Sequence, residues 1–257
     1  MSESTTVGTL WLVPTPLDHG CALTSLPALS TVLPQATIAQ AARLGHWVSE
    51  NAKSTRAFLK RVDAVCPLPT KLQDIAISEL PREAHKHGDH RTQDLSAAKR
   101  LLAPLAQGLD MGLISEAGMP AIADPGSSIV RAAHAMGAPV RPLVGPISLM
   151  LALAASGLNG QHFAFQGYLP QGAERVARIQ SLEKLAQQSG QTQLVIETPY
   201  RNAKLLSELV HALKPATRLA VATGLSLNDT VISQSVADWR RQALPELPLP
   251  AIFLWGP

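Results

Sequence analysis

A loop rich in glycine and proline, which also carries two acidic residues, is the most informative part of this chain. Residues 113–126 read L-I-S-E-A-G-M-P-A-I-A-D-P-G and contain Glu116 and Asp124. The apolar run at 111–114 predicts the end of a buried parallel strand. Glycine permits positive φ and close approach of the backbone to a ligand, while proline stiffens the segment between the glycines. Because open α/β sheets bind ligands beyond the carboxyl ends of their strands, this loop predicts a ligand-binding site.

Common nucleotide and catalytic motifs are missing from the sequence. It contains no G-x-x-x-x-G-K-[ST], no G-x-G-x-x-G after the first strand, no nucleophile elbow and no H-E-x-x-H. His85, His87 and His90 are close in sequence, but they lie in the polar stretch K-H-G-D-H-R-T-Q, which is typical of a solvated loop. We therefore expect no metal site.

Composition indicates a globular protein. The 257 residues are 46% hydrophobic and 16% charged, with a formal net charge of +3, which permits contact with nucleic acid without requiring it. Cys21 and Cys66 lack the spacing of a disulfide framework or a zinc site. Residues 1–7 are polar, and the longest apolar run, 147–155, is too short to span a bilayer. We expect a cytoplasmic protein without membrane contact.

Strand and helix patterns alternate along the first half of the chain. Such alternation predicts a mostly parallel sheet with right-handed crossovers, here of five strands. The predicted strands are 9–13, 45–49, 75–80, 111–115 and 140–144, and the predicted helices are 23–33, 55–62, 94–106 with an interruption at Pro104, and 127–136.

The pattern changes after Gly145, where Gly-Pro interrupts the chain. Two strands joined by a short link near 224–229 predict a hairpin and therefore a mixed sheet. Two α/β domains, 1–145 and 146–257, follow from this reading. The predicted elements of the second domain are helices at 147–155, 173–188, 201–213 and 236–242, and strands at 163–168, 193–197, 218–222, 230–234 and 251–255.

Seven short motifs occur in order across nearly the whole chain. They are G-T-L-W-L-V-P-T-P (8–16), S-E-N-A-K-S-T-R (49–56), S-E-A-G-M-P-A-I-A-D-P-G (115–126), P-L-V-G-P-I-S (142–148), A-A-S-G-L (154–158), F-Q-G-Y-L-P (165–170) and E-T-P-Y-R-N (197–202). In these motifs the chain resembles the tetrapyrrole methylase superfamily, and within it the branch of the small-subunit ribosomal RNA cytidine 2′-O-methyltransferases.

The resemblance implies that S-adenosylmethionine (SAM) binds in a cleft between the two domains, held largely by backbone groups. It also implies a homodimer, with which the apolar stretch 147–153 is compatible. The residues expected near the cofactor are Pro14, Thr15, Pro16, Ser115, Glu116, Ala117, Gly118, Pro120, Gly145, Ser148, Tyr168, Leu169, Ala222, Pro250 and Ala251.

A 2′-hydroxyl acceptor requires removal of its proton, and four polar residues in the motif regions are candidates for the catalytic groups: Glu50, Arg56, Glu197 and Arg201. Each has a structural alternative. Glu50 could favour a helix N-terminus, Arg56 could bind an RNA phosphate or face solvent, and Glu197 could pair with Arg201 four residues later.

The sequence departs from the ribosomal branch on the substrate side. A-T-G-L-S-L at 222–227 replaces A-R-E-L-T-K, and E-L-P-R-E-A-H-K-H-G at 79–88 replaces an H-E-H-N region. Because the cofactor motifs are intact while substrate-side residues differ, the favoured hypothesis is a SAM-dependent methyltransferase of a shorter, divergent branch. Its expected acceptor is a hydroxyl of ribosomal RNA, which need not be the same cytidine. A tetrapyrrole or other small-molecule acceptor, a polypeptide acceptor, and a non-catalytic SAM-binding protein stay open as alternatives.

Overall fold

The chain forms two compact units, Met1–Pro146 and Ile147–Pro257, in a computed structural model. The structure describes residues 6–18, 20–21, 26–81, 89–227 and 230–257. Each unit contains one five-stranded sheet flanked by helices. The predicted α/β class is therefore confirmed.

The sheet of the first unit is fully parallel. Its strands lie in the order β3-β2-β4-β1-β5, and each neighbouring pair runs in the same direction. β4 is buried at all four positions, as expected for a strand covered on both faces. The strands are β1 (Leu10–Val13), β2 (His46–Ser49), β3 (Ala76–Glu79), β4 (Met111–Ile114) and β5 (Val140–Pro142).

Helices cover both faces of this sheet, and two separate apolar clusters form its core. The N-cap of α2 is Asn51, whose side chain accepts hydrogen bonds from the N–H groups of Lys53 and Ser54. The helices are α1 (Gln35–Ala42), α2 (Ala52–Asp63), α3 (Ser96–Leu101), α4 (Ala103–Ala106) and α5 (Ser127–Ala135), with 3-10 turns at Leu29–Thr31, Leu72–Asp74 and Asp89–Arg91.

A glycine in β4 makes room for the largest core side chain of this unit. Gly112 pairs with Trp47 of β2, and a Cβ at Gly112 would lie 2.4 Å from an indole carbon of Trp47. Trp47 is 1% exposed and donates its indole N–H to the carbonyl of Leu44. The indole therefore packs directly on the backbone of the neighbouring strand.

The second unit has a mixed sheet in the order β6-β7-β10-β8-β9. Only β6 and β7 run parallel; β10 is antiparallel to both of its neighbours, and β8 and β9 form the predicted hairpin. The strands are β6 (Phe163–Tyr168), β7 (Thr192–Ile196), β8 (Arg218–Thr223), β9 (Thr230–Ser235) and β10 (Ala251–Gly256), and the helices are α6 (Ser148–Ser156), α7 (Glu174–Ser189), α8 (Asn202–Ala212) and α9 (Val236–Trp239).

Some helix predictions were wrong. The described part of 23–33 contains only the 3-10 turn Leu29–Thr31, because Pro27 and Pro34 confine it, and residues 22–25 lie outside the described chain. The helix Gln35–Ala42 was not predicted. The predicted helix at 94–106 is split into two short helices, and the one at 236–242 is a single turn, Val236–Trp239. No helix among the described residues has the length and apolar character needed to cross a membrane.

Candidate functional site

Two loops at the carboxyl edge of the parallel sheet are tied together by their backbones. β1 and β4 are parallel neighbours, and the loops that follow them are joined by an isolated antiparallel bridge between Thr15 and Gly118. The N–H of Thr15 donates to the carbonyl of Gly118 at 2.9 Å, and the N–H of Gly118 donates to the carbonyl of Thr15 at 3.1 Å. This bridge brings together the predicted cofactor residues of 14–16 and 115–120.

Glycines allow close packing at this edge. Gly118 has φ +77° and is buried against Leu17, so any other residue there would be strained. A Cβ at Gly145 would lie 2.3 Å from the Cγ of Pro14, so the segment after β5 packs directly on the loop after β1. Among the hydrogen bonds of the described residues, none is donated by the N–H of Ala117, which is half-buried and available to a ligand.

Three carboxylates lie close together at the same edge. Glu50 follows β2, and its Oε2 accepts a hydrogen bond from the N–H of Glu116 at 3.1 Å. β2 and β4 are neighbours, with Ser49 opposite Ile114, so the residues that follow them emerge side by side. Asp124 completes the group, since the charges of Glu50 and Glu116 both act on its carboxyl.

Asp124 is held partly protonated at neutral pH. Burial raises the pKa of its carboxyl to about 7, with further contributions from the negative charges of Glu50 and Glu116. The Ser115 hydroxyl opposes this by favouring the charged form. A carboxyl with a pKa near 7 is a stronger base than an ordinary aspartate and can accept a proton at physiological pH.

The loop that carries Asp124 has an unusual backbone. Ala121 and Ala123 have φ of 65° and 64°, a left-handed conformation that costs a non-glycine residue about 1 kcal/mol or more. Gly126, at φ 134°, ends the loop. Strain of this kind persists only where neighbouring contacts fix the backbone.

Asp89 fixes the end of this loop to the start of α5. Its carboxylate is 4% exposed and accepts hydrogen bonds from the N–H groups of Gly126 and Ser128, both at 2.9 Å, and from the hydroxyls of Ser127 and Ser128, both at 2.7 Å. Burial alone would raise the pKa of this carboxyl, but the hydrogen bonds outweigh burial and lower it. The carboxylate also lies at the positive end of the helix dipole.

The remaining predicted residues of the first unit are less closely associated. Pro16 and Pro120 lie in the two bridged loops, and Gly145 lies in the segment after β5. Arg56 is on the exposed face of α2, where its Nη1 donates to the carbonyl of Ala52 at 3.4 Å. Nothing in the described contacts joins Arg56 to the carboxylate group.

In the second unit, the predicted residues line one edge of the mixed sheet. Tyr168 of β6 is paired with Ile196 of β7, and Ile196 is paired with Ile252 of β10. Ala251 is in turn opposite Thr223 of β8, and the N–H of Gly224 donates to the carbonyl of Pro250. Three predicted cofactor residues contribute their side chains to the core, namely Leu169, Ala222 and Ala251, so only their backbones could face a ligand. Ser148 is the first residue of α6.

Glu197 lies between two arginines. Its Oε1 accepts from Nε and Nη2 of Arg201 at 2.9 and 2.7 Å, and its Oε2 accepts from Arg175 at 3.1 Å. Burial would raise the pKa of Glu197, but the hydrogen bonds from the Thr198 N–H and Arg201 and the two positive charges lower it. The predicted pairing of Glu197 with Arg201 is observed, and it gives Glu197 a structural explanation.

Two residues, one in the carboxylate group and one beside Glu197, were not predicted as site residues from the sequence. Asp124 was noticed as an acidic loop residue but not assigned a role, and Arg175 gave no signal at all. No pattern in the sequence singles out Asp124, because its environment depends on the adjacency of β2 and β4, which appears only in the structure. His85 and His87 lie outside the described residues, and within the described part no group of three or more His, Cys, Asp or Glu side chains could hold a metal ion.

Comparisons with known proteins agree on one family. The family model of tetrapyrrole (corrin/porphyrin) methylases matches residues 27–238. A ribosomal RNA small subunit methyltransferase I of Xylella fastidiosa is 32% identical over 186 residues, 72% of this chain and 67% of that protein. One of Micromonospora olivasterospora is 30% identical over 224 residues, 86% of this chain and 61% of that protein.

The chain thus spans about two thirds or less of the length of these curated relatives. The crystal structure of the methyltransferase CobJ has the same fold, with a TM-score of 0.54 and 17% identity over 97% of this chain and 94% of that one. Since the family model covers most of the chain, and the fold and the motif order agree with it, this chain belongs to the tetrapyrrole methylase family.

Proposed function

We propose that this protein is a SAM-dependent methyltransferase that methylates a hydroxyl group of ribosomal RNA. Membership of a methylase family supports the reaction, and the similarity to ribosomal RNA small subunit methyltransferases supports the acceptor. The observation that carries the proposal is the carboxylate group at the sheet edge. It provides a proton acceptor, Asp124, and a hydroxyl loses a proton when it is methylated.

The residues at this edge fit the chemistry of SAM. The donor molecule carries a positively charged sulfonium and an ammonium group, which the carboxylates of Glu50 and Glu116 would stabilise. The N–H of Ala117, which donates no hydrogen bond within the described part of the chain, and the tight turn at Gly118 suit a ligand bound by backbone groups. A bound sulfonium would supply an activated methyl group. The protein therefore has to position the acceptor and remove its proton.

In this mechanism Asp124 acts as the general base. Above its pKa of about 7 the carboxylate accepts the hydroxyl proton as the oxygen gains its methyl group. Glu50 and Glu116 keep the carboxyl basic through their charges, and Asp89 holds the loop through Gly126 and Ser128. Glu197 and Arg201, predicted as catalytic, are assigned here to the structure of the second unit.

The test is transfer of labelled methyl groups from SAM to small ribosomal subunits isolated from cells that lack the gene. We expect label in the RNA after protease treatment, in a nucleoside that carries a 2′-O-methyl group. Label in protein, or transfer only to an added porphyrinoid, would refute the RNA acceptor. Calorimetric SAM binding without transfer to any fraction would refute the enzyme.

The pH dependence of transfer tests the base. The wild-type rate should rise with pH through about 7 and level off above 8, because the active form of Asp124 is the carboxylate. Asp124→Asn should lower the rate about 100-fold or more and abolish this rise. An Asn variant that keeps the wild-type profile would exclude Asp124 as the base.

We also propose that the protein is a homodimer located in the cytoplasm. Exposed apolar side chains on α6 and just before it support the dimer: Met150, Leu151 and Val144 are 39%, 42% and 72% exposed. Light scattering during gel filtration should give twice the monomer mass of 27.3 kDa. A mass of one chain at micromolar concentration would refute the dimer.

A further inference from the structure

Both tyrosines of the chain lie together on the surface of the second unit. The sequence contains only two, Tyr168 and Tyr200. Tyr168 ends β6 opposite Ile196, and Tyr200 lies in the 3-10 turn Pro199–Arg201 shortly after β7. The two rings are 58% and 81% exposed, and both act electrostatically on the guanidinium of Arg201.

Arg201 lies over one of these rings. Its guanidinium carbon is 5.0 Å from the ring centroid of Tyr200, a distance typical of a cation–π contact. Trp239, Trp255 and Phe253 of this unit are completely buried, and Phe163 and Phe165 of β6 are 38% and 37% exposed, so the two tyrosines are its most exposed aromatic side chains. Leaving two rings in water forgoes the stabilisation that burial would give, so their exposure needs a reason other than folding.

A buried ion network holds the backbone beneath both rings. Arg175 is 4% exposed and donates from Nε to the carbonyl of Pro170, two residues after Tyr168, at 2.7 Å. The same guanidinium binds Glu197, which holds Arg201 by two hydrogen bonds. The backbone at Pro170, next to the strand end that carries Tyr168, and the side chain of Arg201 are therefore held before any ligand binds, which lowers the entropy cost of binding.

Positive charge is in excess around this network. Arg175 also pairs with Glu208 at 2.8 Å, so the buried Arg175 and the partly exposed Arg201 are balanced by Glu197 and Glu208. Lys204 lies 3.9 Å from Glu208 on α8, and its side chain is 72% exposed. An ammonium group that reaches water this freely can contact a phosphate.

We propose that Tyr168, Tyr200 and Arg201 form a platform on which an unpaired base of an RNA strand stacks, with Lys204 close to the strand's phosphates. Exposed aromatic rings and guanidinium planes are the groups on which proteins stack single-stranded RNA bases. The inference rests on the proposed RNA acceptor and assigns part of that RNA to the second unit. Tyr200 is the decisive residue, because Tyr168 is also expected near the cofactor.

The experiment measures binding of a fluorescently labelled single-stranded RNA from the small ribosomal subunit by anisotropy, and binding of SAM by calorimetry. Tyr200→Ala should weaken RNA binding about 5- to 100-fold, since one stacked base contributes roughly 1–3 kcal/mol. Tyr200→Phe should bind RNA as wild type does, because the ring is kept. Phe163→Ala is the control, since it removes a ring that is 38% exposed at the opposite end of β6 and should leave RNA binding unchanged.

Lys204→Ala separates the electrostatic contribution to RNA affinity from the contribution of base stacking. It should reduce the slope of log affinity against log salt concentration by about 1, whereas Tyr200→Ala should leave that slope unchanged. SAM affinity should be the same in all of these variants. Their thermal unfolding should match that of wild type, since both side chains are exposed.

Three outcomes would overturn the platform. If the wild-type protein methylates RNA and the Tyr200→Ala variant binds RNA as tightly as wild type does, the platform is refuted and the proposed function stands. Loss of SAM binding with RNA binding kept would mean that the ring binds the cofactor's adenine. A wild-type protein that neither binds nor methylates RNA would refute the proposed function itself, and the platform with it.

Discussion

Asp89→Asn tests how the loop that carries Asp124 is held. The carboxylate accepts four hydrogen bonds, three of them at Oδ2. An amide can retain the three bonds at one oxygen, but as a neutral acceptor it weakens each by roughly 1 kcal/mol. Loss of charge at the start of α5 adds about 0.3–1 kcal/mol. We therefore expect the first unit to lose about 3 kcal/mol of stability.

The stability difference between wild type and Asp89→Asn should depend on pH in a definite direction. The folded-state pKa of Asp89 lies below the unfolded value of 3.8, so its stabilising effect is complete above that value and is lost as the pH falls through the folded pKa. The difference between wild type and Asp89→Asn should therefore be constant from pH 8 to pH 5 and decrease below about pH 4.

Hydrogen exchange of the α5 amides in increasing urea reports the stability of this unit separately from the other. Asp94→Asn is a matched control, because Asp94 also accepts from a serine N–H and hydroxyl, those of Ser96, but is exposed. It should have a smaller effect. An Asp89→Asn variant as stable as wild type at pH 7, or a difference that disappears between pH 7 and 6, would refute the reasoning.

Three further substitutions test the two units by urea or thermal unfolding. Gly112→Ala should destabilise by about 2 kcal/mol or more, because its Cβ overlaps an indole in the core, whereas Gly160→Ala, with open space around it, should be nearly neutral. Glu197→Gln should destabilise the second unit by about 1.5–3 kcal/mol, because it removes the negative charge between Arg175 and Arg201 and leaves the buried Arg175 with Glu208 as its remaining ionic partner; an unchanged unfolding midpoint would contradict this. The pKa of Asp124 is raised to about 7 in the folded protein, so wild type loses stability as the pH rises from 4 to 7. Asp124→Asn should therefore be as stable as wild type at pH 4 and more stable at pH 8, by at most on the order of 4 kcal/mol. Equal melting temperatures at pH 8 would show that this carboxyl is not perturbed.

The sequence predicted all ten strands, because their short runs rich in apolar and β-branched residues are separated by helical patterns and turn residues. It missed Gln35–Ala42 because Ile38 is the only large apolar side chain of that helix. Its alanines provide helix propensity but almost no periodicity. The predicted helix at 23–33 failed for the opposite reason, since its leucines gave a helical pattern that the prolines interrupt.

The site was less predictable than the fold, because its properties depend on residues distant in sequence. The pKa of Asp124 is set by burial and by Glu50, 74 positions earlier, and only the adjacency of β2 and β4 brings them together. Local patterns do not reveal strand order. The pairing of Glu197 with Arg201, by contrast, is a contact between residues four apart, and spacing alone was enough to anticipate it.

The strand order of the first unit also determines when this protein can fold during synthesis. β1 leaves the ribosome well before both of its partners, since Leu10 pairs with Met111 and Val140. Until those residues emerge, the segment L-W-L-V has two unpaired edges and no core to cover it. The nascent chain must therefore carry an exposed, aggregation-prone strand through the translation of about 130 residues, which makes it a natural target for chaperones that bind apolar segments.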